Sequence, residues 1–123
     1  MDIQEILMRF ALIADLNLEE AAPWLPICSE AAEEIRGQLK NAADEAKHAR
    51  RLTAAAAALA FYRYTLYRAS GSGMDTFSAG DVKITADKKI SVQIAQSVWC
   101  NARNTVSDVL EDDEFLFEQV KFV

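Results

Sequence analysis

The residues that most often carry out chemistry in proteins are few and scattered in this chain. There is one histidine, His48, and it has no serine or cysteine placed beside it as a nucleophile. The two cysteines, Cys28 and Cys100, lie far apart and form no Cys-x-x-Cys motif. A zinc site needs about four converging ligands. The first residues lack the pattern of a secretory signal, so we expect two reduced, buried and inert thiols.

Carboxylates occur in adjacent pairs, which is one arrangement that supports acid–base catalysis. The pairs are Glu19/Glu20, Glu33/Glu34 and Asp112/Asp113. A general acid needs a carboxyl group that burial keeps protonated, but each pair lies in a hydrophilic stretch. The Ser70–Gly73 loop follows a helix and lacks the phosphate-binding pattern. The sequence therefore predicts no enzyme, no cofactor and no metal.

Charge is unevenly spread along the 123 residues, whose formal net charge is −6. Residues 1–40 carry −5, residues 41–70 carry +3 and residues 71–123 carry −4. An acidic chain lacks the broad positive surface that DNA binding requires. The basic middle segment interleaves cationic and aromatic residues, namely Arg63, Tyr64, Tyr67 and Arg68. Such a mixture can stack on single-stranded bases, or it can be one half-buried helix face.

Length and composition predict one domain over residues 1–123. Apolar types make up 51% and charged types 26% of the chain, near the averages for globular domains, and one domain is normal at this length. No apolar run reaches the roughly 18 residues of a membrane span. We therefore expect a soluble protein of the cytoplasm with no membrane partner.

Apolar residues at helical spacing predict a mainly α fold, a multi-helix bundle around a long central helix. The expected helices cover about 2–14, 24–40, 44–69 and 88–111. A short connecting piece lies between Asn17 and Pro23. In the first helix, the expected buried face comprises Ile3, Ile6, Leu7, Phe10 and Ile13. The third helix contains no Gly or Pro and includes the strongly helix-forming run Ala54–Ala58, so we expect it to be central.

Two later segments favour a small β-hairpin or strand element. FSAGDVKIT at 77–85 places β-forming residues around an Ala-Gly-Asp turn, and FLFEQVKFV at 115–123 is typical of a strand. Two strands alone are marginal in water. Residues 114–123 are therefore a candidate docking tail, which would add a strand to a partner. The alternative is a strand within the protein's own sheet.

The helix TAAAAALAFYRYTLYR, the Ser/Gly loop and FSAGDVKIT together resemble small head–tail connector (adaptor or head-completion) proteins of long-tailed double-stranded-DNA phages and prophages. The resemblance implies a structural subunit of the virion, assembled in the bacterial cytoplasm. It implies a ring below the portal protein that also contacts the tail-proximal neck or tail protein. Double-stranded DNA would pass through the channel without sequence-specific binding.

Candidate contact residues follow from the two β segments and from the basic helix. Acidic and basic segments can supply the two different surfaces that neighbours in a ring present to each other. The candidates are Phe77, Val82, Ile84, Phe115, Phe117, Val120, Phe122, Arg50 and Arg51. The alternative functions are a neck or tail-completion protein of the same particle and a small helical regulator that binds nucleic acid through residues 47–68.

Overall fold

Helices make up most of the computed structural model, which describes residues 1–41, 43–70, 81–84, 89–111 and 119–122. The helices are α1 (Ile3–Ala14), α2 (Leu18–Ala21), a 3-10 turn (Ala22–Trp24), α3 (Leu25–Gly37), α4 (Ala49–Ser70) and α5 (Lys89–Thr105). The strands are β1 (Asp81–Ile84) and β2 (Gln119–Phe122). The predicted mainly α, multi-helix bundle is confirmed.

Local capping fixes where α1 ends and α2 begins. The Asp2 carboxylate accepts a hydrogen bond from the Gln4 N–H at 3.0 Å, which satisfies one of the free donors at the start of α1. Asp15 ends the helix in the left-handed conformation, with φ 58 and ψ 46. Asn17 and Glu20 then form a reciprocal capping box. That box starts a short helix where the sequence pattern indicated only a connection.

The long helix α4 is central, because α1, α3 and α5 all pack against it. Every residue from Ala55 to Ala60 is buried, on all sides of the helix. Alanine side chains are short, so neighbouring helices can lie close to the α4 backbone without overlap. The largest buried side chains include Trp99 on α5, Phe10 on α1 and Tyr62 on α4 itself.

Three helices are shorter than the sequence predicts. The helix α4 begins at Ala49 and not near residue 44, and α3 and α5 end early because the residues that follow them pair with each other. The chain just after α3 runs antiparallel to the chain that follows α5, and Leu39 forms a bridge with Leu110. The Lys40 N–H donates to the Val109 carbonyl at 2.9 Å, and the Glu111 N–H donates to the Gln38 carbonyl at 2.8 Å. These bonds replace the helical ones that would have continued α3 and α5.

The two described strands run parallel, so they are not the two arms of a hairpin. Asp81 pairs with Gln119 and Ile84 pairs with Phe122. A parallel pair needs a long crossover connection, and α5 lies within it. The expected turn at Ala79-Gly80-Asp81 lies outside the described residues except for Asp81, which begins β1.

A largely buried ion pair connects α3 with α4. Arg63 donates from Nη2 to Oε2 of Glu34 at 2.6 Å. The Arg63 side chain is buried, whereas Glu34 is half-buried. Burial of a guanidinium is costly unless a carboxylate and hydrogen bonds compensate it. Arg63 therefore holds two helices together and does not present its charge to a ligand.

We expect Glu34→Ala to lower the free energy of unfolding by about 1–3 kcal/mol, because it removes a hydrogen bond to a buried charge. Glu33→Ala is the matched control, since Glu33 is exposed and an exposed substitution of this kind changes stability by roughly 0.5 kcal/mol or less. Urea unfolding followed by circular dichroism measures both. Equal stability of the two variants would contradict this role for the pair.

Candidate interaction surface

The structure brings together four of the candidate contact residues that the sequence identified in its β segments. Val82 and Ile84 lie in β1, Val120 and Phe122 lie in β2, and the register pairs Val82 with Val120 and Ile84 with Phe122. The strand β2 is thus paired within its own chain. This matches the alternative given above, in which the strand belongs to the protein's own sheet and is not a free docking strand. The other three, Phe77, Phe115 and Phe117, lie outside the described residues.

Arg51 is committed to contacts within the bundle. Its guanidinium donates to the Thr105 carbonyl at 2.5 Å and to the Asp108 carboxylate at 3.0 Å. A further nitrogen lies 2.6 Å from Nδ1 of His48. Because arginine has only donors, this ring nitrogen is the acceptor. The hydrogen bond from Arg51 is the main reason that the pKa of Asp108 is lowered. Arg51 therefore joins the start of α4 to the end of α5.

The neighbouring residue, Arg50, faces a groove instead. Arg50 and Ala49 of α4 line a cavity of about 610 Å³ together with four residues of α1, namely Glu5, Met8, Arg9 and Leu12. A second cavity of about 170 Å³ is lined by Arg9, Leu12, Ile13, Ala54 and Ala57. Arg9 and Leu12 border both cavities. We call these two cavities together the α1–α4 groove.

The α1 wall of the groove is apolar and exposed. Met8 is 55% exposed and Leu12 is 81% exposed, and they lie one helical turn apart on the same face. Ile13, which the sequence pattern assigned to the buried face, is also exposed. The opposite side of α1 buries Ile6 and Phe10 against the core. A helix with a second apolar face is typical of a surface that binds another molecule.

The groove also carries positive charge that nothing in the described chain neutralises. Neither Arg9 nor Arg50 forms an ion pair or a side-chain hydrogen bond with any residue in the part of the chain that the structure describes. Glu5 is the one carboxylate among the residues that line the two cavities. Sequence reasoning identified Arg50 but missed Arg9, Met8 and Leu12. The sequence feature that could have identified this surface is the presence of apolar residues on both faces of the first helix.

A second exposed apolar patch lies on α5. Ile90 and Ile94 are both exposed and lie one helical turn apart, whereas Val92 and Trp99 of the same helix are buried. Ile90 and Ile94 do not line either cavity of the α1–α4 groove. The described chain therefore has a second exposed apolar patch besides the groove.

The half-buried tyrosines of α4 and the exposed Arg68 form a cluster with rings of α1 and of the 3-10 turn. The Tyr64 ring packs edge-on against Phe10 at 5.3 Å and against Trp24 at 4.7 Å, measured between ring centroids. Tyr67 contacts Trp24 at 5.3 Å, and Arg68 lies over the Tyr64 ring. These rings anchor the 3-10 turn and α1 to the end of α4.

Three further observations concern chemistry and location. Among the described residues, no three His, Cys, Asp or Glu side chains are grouped so that they could hold a metal ion. Burial raises the pKa of the Cys28 thiol to about 12. Within the described chain, none of the helices combines the length and apolar character that crossing a membrane requires.

Comparison of the chain with protein-family models, with curated proteins and with solved structures found no match. Among the described residues, the exposed apolar side chains and the two arginines of the α1–α4 groove are the features that indicate binding of another molecule.

The Cys28 thiol should be unreactive in the native protein, because only the thiolate attacks a disulfide reagent. In a Cys100→Ser variant, we expect release of the aromatic thiol from Ellman's reagent at pH 8 only on unfolding. A Cys28→Ala variant, which retains the half-buried Cys100, should react faster. Equal reaction rates for native and unfolded Cys28 would refute this.

The same thiol should make stability depend on pH. Burial raises the pKa of Cys28 from 9.0 to about 12, so the unfolded chain loses this proton first. The free energy of unfolding should then fall as the pH rises above 9.

The two adjacent arginines should differ in their effect on stability. We expect Arg51→Ala to lower the thermal midpoint at pH 7 by roughly 2–6 °C, and Arg50→Ala to leave it nearly unchanged. The Arg51 contact lowers the pKa of Asp108, so its contribution exists above the unfolded pKa and is lost as the pH falls. The difference between the variants should therefore shrink at pH 3. Calorimetry at both pH values tests this, and identical midpoints at pH 7 would contradict it.

Proposed function

We propose that this protein is a non-enzymatic structural subunit that works by binding other proteins, and that it serves as a head–tail connector of a phage or prophage virion. The observation that supports protein binding is the α1–α4 groove, with its apolar wall and its two unpaired arginines. Complete burial of a side chain such as Leu12 or Met8 contributes about 1.5–3 kcal/mol. Arginine and methionine are also enriched in protein interfaces.

The presence of two different apolar surfaces supports assembly into a ring. A ring is built from heterologous contacts, in which one surface of a subunit meets a different surface of its neighbour. The α1–α4 groove and the Ile90/Ile94 patch of α5 are two such surfaces on one chain. In the proposal, the groove contacts the neighbouring copy, and the Ile90/Ile94 patch is available to the portal protein or the tail-proximal neck or tail protein.

The acidic character of the chain suits a subunit around a DNA channel. With a net charge of −6, acidic side chains at a lumen would repel phosphate, so double-stranded DNA could slide without sequence-specific binding. The proposed partners and the location in the virion rest on the resemblance of α4 and the segment after it to head–tail connector proteins. Binding these partners requires neither a cofactor nor a catalytic residue.

We expect the purified protein to self-associate as its concentration is raised. Light scattering coupled to size exclusion should show masses above the 13.7 kDa of one chain, and negative-stain electron microscopy should show rings. Leu12→Ser should shift the protein toward the monomer, because it removes an exposed apolar contact.

Leu18→Ser is the matched control, since Leu18 is 60% exposed on α2 and does not line the groove. A wild-type protein that stays monomeric at all concentrations, both alone and with a phage portal protein, would overturn the proposed function. A Leu18→Ser variant that dissociates as readily as Leu12→Ser would show that the groove is not the contact.

A further inference from the structure

The α1–α4 groove favours a ligand that is both apolar and acidic. Its α1 wall exposes Met8 and Leu12, which gain free energy when an apolar side chain covers them. Its unpaired cations, Arg9 and Arg50, prefer carboxylates, which a guanidinium can bind through two parallel hydrogen bonds. A purely apolar ligand would bury these charges without partners, and that is costly.

One segment of this chain has the required composition. Residues 112–118 read DDEFLFE, so four carboxylates surround three large apolar side chains. Other acidic segments fit less well, because EAAEEIR at 30–36 contains alanine and arginine, and DLNLEE at 15–20 has Glu20 in the capping box of α2. The charge of the segment is opposite to that of the two unpaired arginines.

We propose that the α1–α4 groove binds residues 112–118 of a second copy of this chain, an inference that rests on the proposed self-assembling function. Phe115, Leu116 and Phe117 would cover the apolar wall, and the flanking carboxylates would pair with Arg9 and Arg50. The contact is heterologous, because a groove on one copy meets a segment of the next. Repeated around a closed rotation, such a contact produces a ring.

The dimensions of the groove match a short peptide. Its α4 side extends from Ala49 to Ala57, and the eight helical steps between them, at 1.5 Å each, span about 12 Å. Three residues of an extended chain span about 10 Å. The groove can therefore hold the three apolar residues while the acidic residues on both sides reach its rim.

A peptide experiment tests the groove separately from assembly. A fluorescently labelled peptide of residues 111–118, EDDEFLFE, is titrated with the wild-type protein and followed by anisotropy. We expect saturable binding that weakens at least about tenfold in an Arg9→Glu/Arg50→Glu variant and in Leu12→Ser. Leu18→Ser should bind as the wild type does. A control peptide with amides in place of all carboxylates, QNNQFLFQ, should bind more weakly and with less dependence on salt.

Complementation of full-length chains tests the second copy. The groove variant Arg9→Glu/Arg50→Glu and the segment variant Asp112→Lys/Asp113→Lys should each remain monomeric. An equal mixture should form a heterodimer, because the mixture keeps one intact groove and one intact segment. Circular dichroism of each variant alone verifies that it is folded.

The outcomes separate this inference from the proposed function. If the wild type assembles but the mixture stays monomeric, or the peptide binds all variants equally, the groove–segment contact is wrong and assembly uses other surfaces. If the wild type is monomeric at every concentration and does not bind the peptide, the segment occupies the groove of its own chain or does not bind it. Either result overturns the second copy as the occupant.

Discussion

The close approach of three helices to the alanine-rich α4 is the constraint on which the rest of the structure depends. Residues Ala55–Ala60 are all buried, because their short side chains let α1, α3 and α5 lie close to the α4 backbone. The same short side chains produce the groove. Ala49, Ala54 and Ala57 of α4 are too small to fill the concavity that they line together with Met8 and Leu12 of α1. Alanine therefore both tightens the core and leaves a concave surface at its edge.

Helical phase decides what each arginine does. Arg50 and Arg51 are adjacent in the sequence, yet successive residues of an α-helix point about 100° apart. One guanidinium consequently faces α1 and the groove, whereas the other reaches Asp108 at the end of α5. Arg63 points toward α3 and binds Glu34. The sequence placed Arg50 and Arg51 among candidate protein contacts and Arg63 among residues that can stack on bases, but Arg51 and Arg63 hold the bundle together.

The sequence predicted the helical bundle well because the relevant signals are local. Apolar spacing and the uninterrupted run through Ala54–Ala58 each act within one helix. The premature ends of α3 and α5 were missed, because they depend on pairing between residues about 70 positions apart, such as Leu39 and Leu110. The groove was missed for a similar reason. Its existence depends on the rotation of α1 against α4, so Ile13 fitted a helical stripe and is nevertheless exposed.

Charge and apolar exposure have complementary effects in this molecule. An exposed apolar face such as that of α1 favours indiscriminate association, and a net charge of −6 opposes it, because copies repel one another beyond contact distance. Within roughly 8–10 Å the local charge matters more than the net charge. There the unpaired Arg9 and Arg50 attract an acidic segment, and they repel a basic one. Charge thus determines which surface of a second copy can approach the groove. Burial of Met8 and Leu12 then stabilises the contact that forms.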